Sequence, residues 1–125
     1  MIALDTHVVM WIYAGEIDRI PLTVQNRIES DDLGISPIVM LELEYLREVG
    51  RTGISADRIF EYLSGRVGLT TLDDSFEKVI ERSLEQSWTR DPFDRIISGH
   101  ASLAGYPLAT KDKDILNNCE CAFWG

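Results

Sequence analysis

Short apolar runs alternate with longer stretches of helical period along the chain. MIAL at 1–4 ends at an acid, and similar short runs recur as LGIS (33–36), GLTTL (68–72), YPLAT (106–110) and CECAFW (119–124). Runs of this length, bounded by Gly, Asp or Asn, predict five strands. Between them, THVVMWIYAG (6–15), PLTVQNRIE (21–29), SPIVMLELEYLREVG (36–50), SADRIFEYLS (55–64), DDSFEKVIERSLEQ (73–86) and DPFDRIISGHASLAG (91–105) repeat apolar residues three and four apart, which predicts helices. Their ends carry matching signals: Thr6 or Asp5 as cap with Gly15 as stop, Ser36 before Pro37, Ser55, Asp73 or Asp74, and Asp91–Pro92 with Gly105. KDKDILNN (111–118) reads as a short helix or a turn.

Strands that alternate with helices predict an α/β fold, a parallel sheet of about five strands covered on both faces and joined by right-handed crossovers. No linker, repeat or low-complexity segment divides the chain, so residues 1–125 read as one domain. In such sheets the binding crevice lies beyond the carboxyl ends of the strands. The residues at those ends therefore carry the functional information.

One helix breaks its own pattern. Glu42 shares a face with Ile38, Val39, Tyr45, Leu46 and Val49. A carboxylate in an apolar stripe is costly unless paired. Asp5 follows the first strand, Asp112 lies just past YPLAT, and Asp91 and Asp94 open one helix on a shared face. Four segments thus aim acids at one end of the sheet. Such acids must take up protons, bind a cation or weaken the fold. Oxygen-only ligation suits Mg²⁺ or Mn²⁺, which could activate a water for phosphodiester cleavage. Each acid also has a plainer reading. Asp5 and Asp91 suit helix caps, Asp94 suits a first-turn dipole position, Asp112 suits a turn, and Glu42 suits a buried salt bridge.

The net charge of −9 opposes broad attraction to nucleic acid or anionic membrane, but not to a nucleic acid held locally through metal ions. Cys119 and Cys121, two apart on a predicted strand, read as neighbouring core thiols and not as a disulfide. The opening MIAL is too short for a signal peptide or a membrane span, so a cytoplasmic location with no membrane partner is expected.

LDTH (4–7), the Ser36…Glu42 segment, DPFDR (91–95) and ATKD (109–112) resemble the PIN domain, and in particular the VapC-like toxins of prokaryotic toxin–antitoxin pairs. The resemblance runs in order along essentially the whole chain, with DPFDR its most specific element. It implies a three-layer α/β/α sandwich and a Mg²⁺-dependent endoribonuclease. By the same resemblance Asp5, Glu42, Asp94 and Asp112 are the catalytic metal-binding acids, Asp91 is auxiliary, and Thr6 and Thr110 are supporting hydroxyls. A homodimer, an RNA substrate and a small antitoxin partner are also implied. One departure is Thr89, where many relatives carry His.

Arg90, Arg95, Lys111 and Lys113 flank the acids and could contact the RNA backbone, or serve as solvated partners of neighbouring acids. His7 reads as a surface residue at a helix start and His100 as a packed histidine. Trp11, Trp88 and Trp124 could stack bases, but their separation in sequence favours core or interface roles. Three other function classes compete with a toxin ribonuclease. A PIN-fold RNA-processing protein need not be a toxin. A receiver-type signalling domain needs a phosphoacceptor Asp after a central strand, and REVGRTGIS in mid-chain offers none. A non-catalytic binding module would not need the full acid set.

Overall fold

The computed structural model describes residues 1–125. Five strands, β1 (Ile2–Leu4), β2 (Leu33–Ile35), β3 (Thr70–Thr71), β4 (Leu108–Ala109) and β5 (Ala122–Phe123), form one parallel sheet in the order β3-β2-β1-β4-β5. Seven helices connect them: α1 (Thr6–Ala14), α2 (Leu22–Ser30), α3 (Ile38–Glu48), α4 (Ala56–Val67), α5 (Phe76–Leu84), α6 (Pro92–Ala104) and α7 (Lys113–Asn118). A single 3-10 turn at Ile17–Arg19 precedes α2. Side chains alternate faces along a strand, and all three residues of central β1 are buried. Both faces of the sheet are therefore covered, as expected of an α/β/α sandwich.

β1 pairs with β2 through Ile2↔Leu33 and with β4 through Leu4↔Ala109. This register sets Asp5 and Thr110 side by side just past the sheet, and the Asp5 N–H extends the ladder to the Ala109 carbonyl at 3.0 Å. Ser36 emerges at the same end from β2. The core joins these strands to Val8 and Val9 of α1, Val39 and Leu43 of α3, Ile59 and Leu63 of α4, and Ile97 of α6.

The structure corrects several local expectations. Ser36 does not cap α3, which starts at Ile38 after Pro37 and has no side-chain cap. Instead the Ser36 hydroxyl bonds His100 Nδ1 at 2.8 Å, while His100 Nε2 donates to Asp74 Oδ2 at 2.9 Å. His100 is thus packed, as expected, but as the centre of a polar clasp between three segments. Asp74 is committed to that clasp, and Ser75 caps α5 in place of Asp73 or Asp74. The final strand is shorter than CECAFW: Cys119 ends α7, and its thiol lies 3.0 Å from that of Cys121. Both cysteines are free.

The stripe around Glu42 is also divided. Val39, Leu43 and Leu46 form the buried seam of α3, whereas Tyr45 and Val49 are 48% and 51% exposed. Spacings of four and three keep one side chain of each turn against the sheet. Glu42 therefore sits at the edge of the buried seam and is half-buried. No helix is long and apolar enough to cross a membrane.

α5 and α6 approach closely because Gly99 carries no side chain. A Cβ there would lie 2.7 Å from Ser83 Oγ and 2.9 Å from the Ser83 backbone nitrogen. Gly99→Ala should destabilise the protein by about 1–2 kcal/mol in urea unfolding, the clash outweighing the gain in helix propensity. Gly65→Ala on α4, where a Cβ meets nothing within 4 Å, should stabilise it by up to about 1 kcal/mol.

Candidate active site

Asp5 is the most buried of the acids at the sheet's carboxyl end, 6% exposed. Its Oδ1 accepts the Thr6 N–H at 2.7 Å, and its Oδ2 accepts the Thr110 hydroxyl at 2.6 Å. Both threonines are fully buried, and each reaches a second acid. The Thr6 hydroxyl donates to Glu42 Oε1 across from α1 to α3. Thr110 Oγ1 accepts the backbone N–H of Asp112 at 3.1 Å. Thr6, through its N–H and its hydroxyl, thus ties Asp5 to Glu42, and the Thr110 hydroxyl ties it to the Asp112 loop.

The remaining acids are aimed by helix starts. Asp91 Oδ1 caps α6 by accepting from the N–H groups of Phe93 and Asp94, at 2.8 and 3.3 Å. Asp112 Oδ1 caps α7 by accepting from Asp114 and Ile115, at 2.9 and 3.0 Å. In both cases Oδ2 has no hydrogen bond within the protein. Asp94, on the first turn of α6, uses neither carboxylate oxygen. The capping reading of Asp5 and Asp91 is therefore correct, Asp112 proves to be a helix cap and not a plain turn residue, and capping coexists with the convergence of all three. The salt-bridge reading of Glu42 is not met, because none of the five acids belongs to an ion pair.

Asp5, Glu42, Asp91, Asp94 and Asp112 line one open cavity of about 390 Å³, together with His7, Trp11 and Lys111. Burial pushes the Asp5 carboxyl above the usual range, against the Thr110 hydrogen bond. Burial also raises Glu42, partly offset by Thr6, with Asp5 and Asp91 adding repulsion. Asp94 is pushed up to about 7, first by burial and then by Asp91, Asp5, Asp112 and Glu42. The donors suit a hard divalent cation: carboxylate oxygens dominate, and they stand as an open set in which no three close on a common point. Mg²⁺ keeps several waters and takes few protein ligands, so an open set suits it better than a cage.

Among the basic residues, only Lys111 reaches the cavity wall. Arg95 instead clamps the end of α5, donating to the carbonyls of Ser83 (3.2 Å) and Leu84 (3.1 Å). Arg90 donates to the Ser87 carbonyl at 2.8 Å, and Lys113 is exposed on the first turn of α7. Thr89 accepts the Asp91 N–H at 3.2 Å, so it steadies the start of α6. His7 and Trp11 were missed as cavity residues. Their signal was available, since they lie four apart on the helix that begins beside Asp5.

Asp94 gives the site a pH signature. Its folded pKa lies above the ordinary carboxyl value near 3.8. The native state then holds more protons than the unfolded chain between about pH 4 and 7, so stability falls as pH rises through that window. Without metal, Asp94→Asn should therefore stabilise the protein at pH 8 by on the order of 2 kcal/mol, allowing for solvent screening of an open cavity. The difference from the wild type should shrink towards pH 4. Urea unfolding in EDTA at the two pH values measures both.

Known proteins share this arrangement of chain. Residues 2–120 match the PIN domain family. The chain is 29% identical to Ribonuclease VapC22 of Mycobacterium tuberculosis over 115 residues, which cover 90% of this chain and 87% of that protein. Among solved structures, it resembles VapBC2 from Rickettsia felis bound to a promoter DNA fragment, with TM-score 0.70, 20% identity and full coverage of both chains. A toxin–antitoxin complex from Klebsiella pneumoniae gives TM-score 0.67 at 20% identity, covering 98% of this chain and 96% of that one. DNA-bound VapBC from Salmonella typhimurium gives 0.63 at 20% identity, with coverage of 97% and 93%. The family match runs over nearly the whole length, and the chain belongs to the PIN domain family.

Proposed function

We propose that this protein is a Mg²⁺- or Mn²⁺-dependent endoribonuclease and the toxin of a toxin–antitoxin pair. The observation that carries the reading is the crowding of five carboxylates around one cavity, with Asp94 held at about 7 and no ion pair to relieve the repulsion. The likeness to Ribonuclease VapC22 supports ribonuclease activity, and the fold shared with toxin–antitoxin complexes supports an antitoxin partner. A homodimer and a cytoplasmic location belong to the same proposal. The exposed Leu41 and Tyr45 on α3, with Val49 at its end, offer an apolar face for a second copy.

Asp5, Glu42, Asp94 and Asp112 would hold the cation, in part through its bound waters, since no three of them close on a common point. When bound, the cation supplies charge neutralisation, a more acidic water and stabilisation of the leaving oxygen. The chain's own residues do the rest. Thr6 and Thr110 hold Asp5 and Glu42 in fixed rotamers through hydrogen bonds from their hydroxyls. Asp91 and Asp112 each keep one oxygen on a helix start and leave the other for the cavity. Lys111 stands at the wall to accept an RNA phosphate. Loss of the Asp94 proton is required before that side chain can act as a ligand.

Asp5→Asn or Asp94→Asn should reduce Mg²⁺-dependent cleavage of RNA to background while far-UV circular dichroism stays unchanged. EDTA should do the same to the wild type. Full activity in a purified variant would remove that residue from the proposed mechanism. Glu42→Gln should leave metal-free stability unchanged or higher and diminish the rise in melting temperature produced by Mg²⁺. Half of a buried ion pair would instead cost about 3 kcal/mol or more on the same substitution.

A further inference from the structure

Trp11 packs against the core along one edge but is not sealed within it. Its ring is half-buried and forms part of the wall of the acid cavity. Trp124 supports it at 5.8 Å between ring centroids, and His7 lies 6.2 Å away on the preceding turn. Buried indole N–H groups usually find a partner, as Trp88 does in donating to Gln86 Oε1 at 2.9 Å. The indole N–H of Trp11 has no partner in the protein, and the only sealed, unpartnered side-chain polar atom is Ser98 Oγ. That N–H therefore faces solvent.

The charges around the ring are equally informative. Lys111 Nζ lies 5.8 Å from the ring centroid. Lys111 belongs to no ion pair, although the five acids share its cavity. The Arg19 guanidinium lies 5.9 Å from the same ring, anchored by Glu16 at 2.8 Å. A chain with net charge −9 gains little from general attraction to a polyanion. Local contacts must then supply much of its affinity for RNA. An indole covered by a lysine that no acid pairs with is a sequence-tolerant way to do so, because the flexible side chain can swing from the ring to a phosphate as a base takes its place.

We propose that Trp11 and Lys111 form a nucleobase subsite adjoining the acid cavity. An unpaired base stacks on the indole, and Lys111 takes the phosphate next to it. The subsite rests on the ribonuclease reading and deepens it by naming the two residues that would hold an unpaired base beside the acids. Bases within a duplex are already stacked on one another and cannot be presented to the ring.

The test uses the full chain carrying Asp94→Asn, so that the probe survives, and fluorescence anisotropy in Mg²⁺. The probes are deca-adenylate and a ribose-phosphate decamer of equal charge without bases. Deca-adenylate should bind about tenfold more tightly than the abasic strand. Adding Trp11→Leu should bring the two within about twofold, whereas Trp11→Phe should keep most of the preference. Equal binding of both probes by the parent, or an undiminished preference in folded Trp11→Leu protein, would overturn the subsite. If Trp11→Leu does not fold, photo-crosslinking of a 5-iodouridine decamer to the parent decides. Adducts on the peptide carrying Trp11 support the subsite, and adducts confined to other peptides overturn it. Equal binding of both probes by the parent, with Mg²⁺-dependent cleavage intact in the wild type, sinks the subsite alone. Absence of both binding and cleavage sinks the ribonuclease reading with it.

Discussion

A carboxylate cannot be buried among other carboxylates without compensation, and this constraint organises one whole end of the molecule. Asp5 is placed there by the β1–β4 register and fixed by two hydrogen bonds, from the Thr6 backbone and the Thr110 side chain. Through the hydroxyls of those threonines its position passes to Glu42 and to the Asp112 loop. Three acids from distant parts of the chain are thereby held in one arrangement by two fully buried side chains. The arrangement is electrostatically unfavourable, and Asp94 shows it most clearly: burial first, and then Asp91, Asp5, Asp112 and Glu42, push it up to about 7. Protons relieve the repulsion at low pH. At neutral pH a divalent cation is the natural counter-charge for oxygen donors of this kind.

Helix starts supply the rest of the compensation. α1, α6 and α7 all begin at the cavity, with Asp5, Asp91 and Asp112 at their caps. The N-terminus of a helix carries partial positive charge and unpaired N–H groups, both of which favour a carboxylate. One oxygen of Asp91 and one of Asp112 are spent on the helix, and the second faces the cavity's neighbourhood free of hydrogen bonds. Capping and site-building are therefore one device, in which the cap fixes the side chain's direction. A longer, freely rotating acid would have to be ordered by the ligand itself, at a cost in conformational entropy. Glu42 is the longest acid of the set, and it is the one steadied by a threonine hydroxyl and by the buried seam of α3.

Much of this was legible in the sequence, and what was not has identifiable causes. The alternation of strands and helices was strong because parallel strands are buried on both faces and read as apolar runs. The acids stood out because they fall where such sheets bind ligands, and Glu42 because it interrupts an apolar stripe. Exact starts were harder. DDS offers three adjacent capping residues, and only the contact with His100 withdraws Asp74 from the choice. Ser36 looked like a cap for the same local reasons and was claimed by the same histidine from a distant helix. The pairing of Trp11 with Trp124 joins opposite ends of the chain, so spacing alone could not reveal it. Arg95 looked available for RNA until its guanidinium was seen to clamp the end of α5. In each case a long-range hydrogen bond or ring contact settled what local pattern left open.

The fold crowds these acids around one cavity, where a cation would relieve them. The most direct measurement is a carbon-13 NMR titration of the Asp94 side-chain carboxyl, with and without saturating Mg²⁺. A midpoint near pH 7 is expected in the metal-free protein, with a fall of at least about two units when Mg²⁺ is present. An ordinary midpoint near pH 4 that Mg²⁺ leaves unmoved would contradict this, because the acids would then be neither crowded nor joined by a metal.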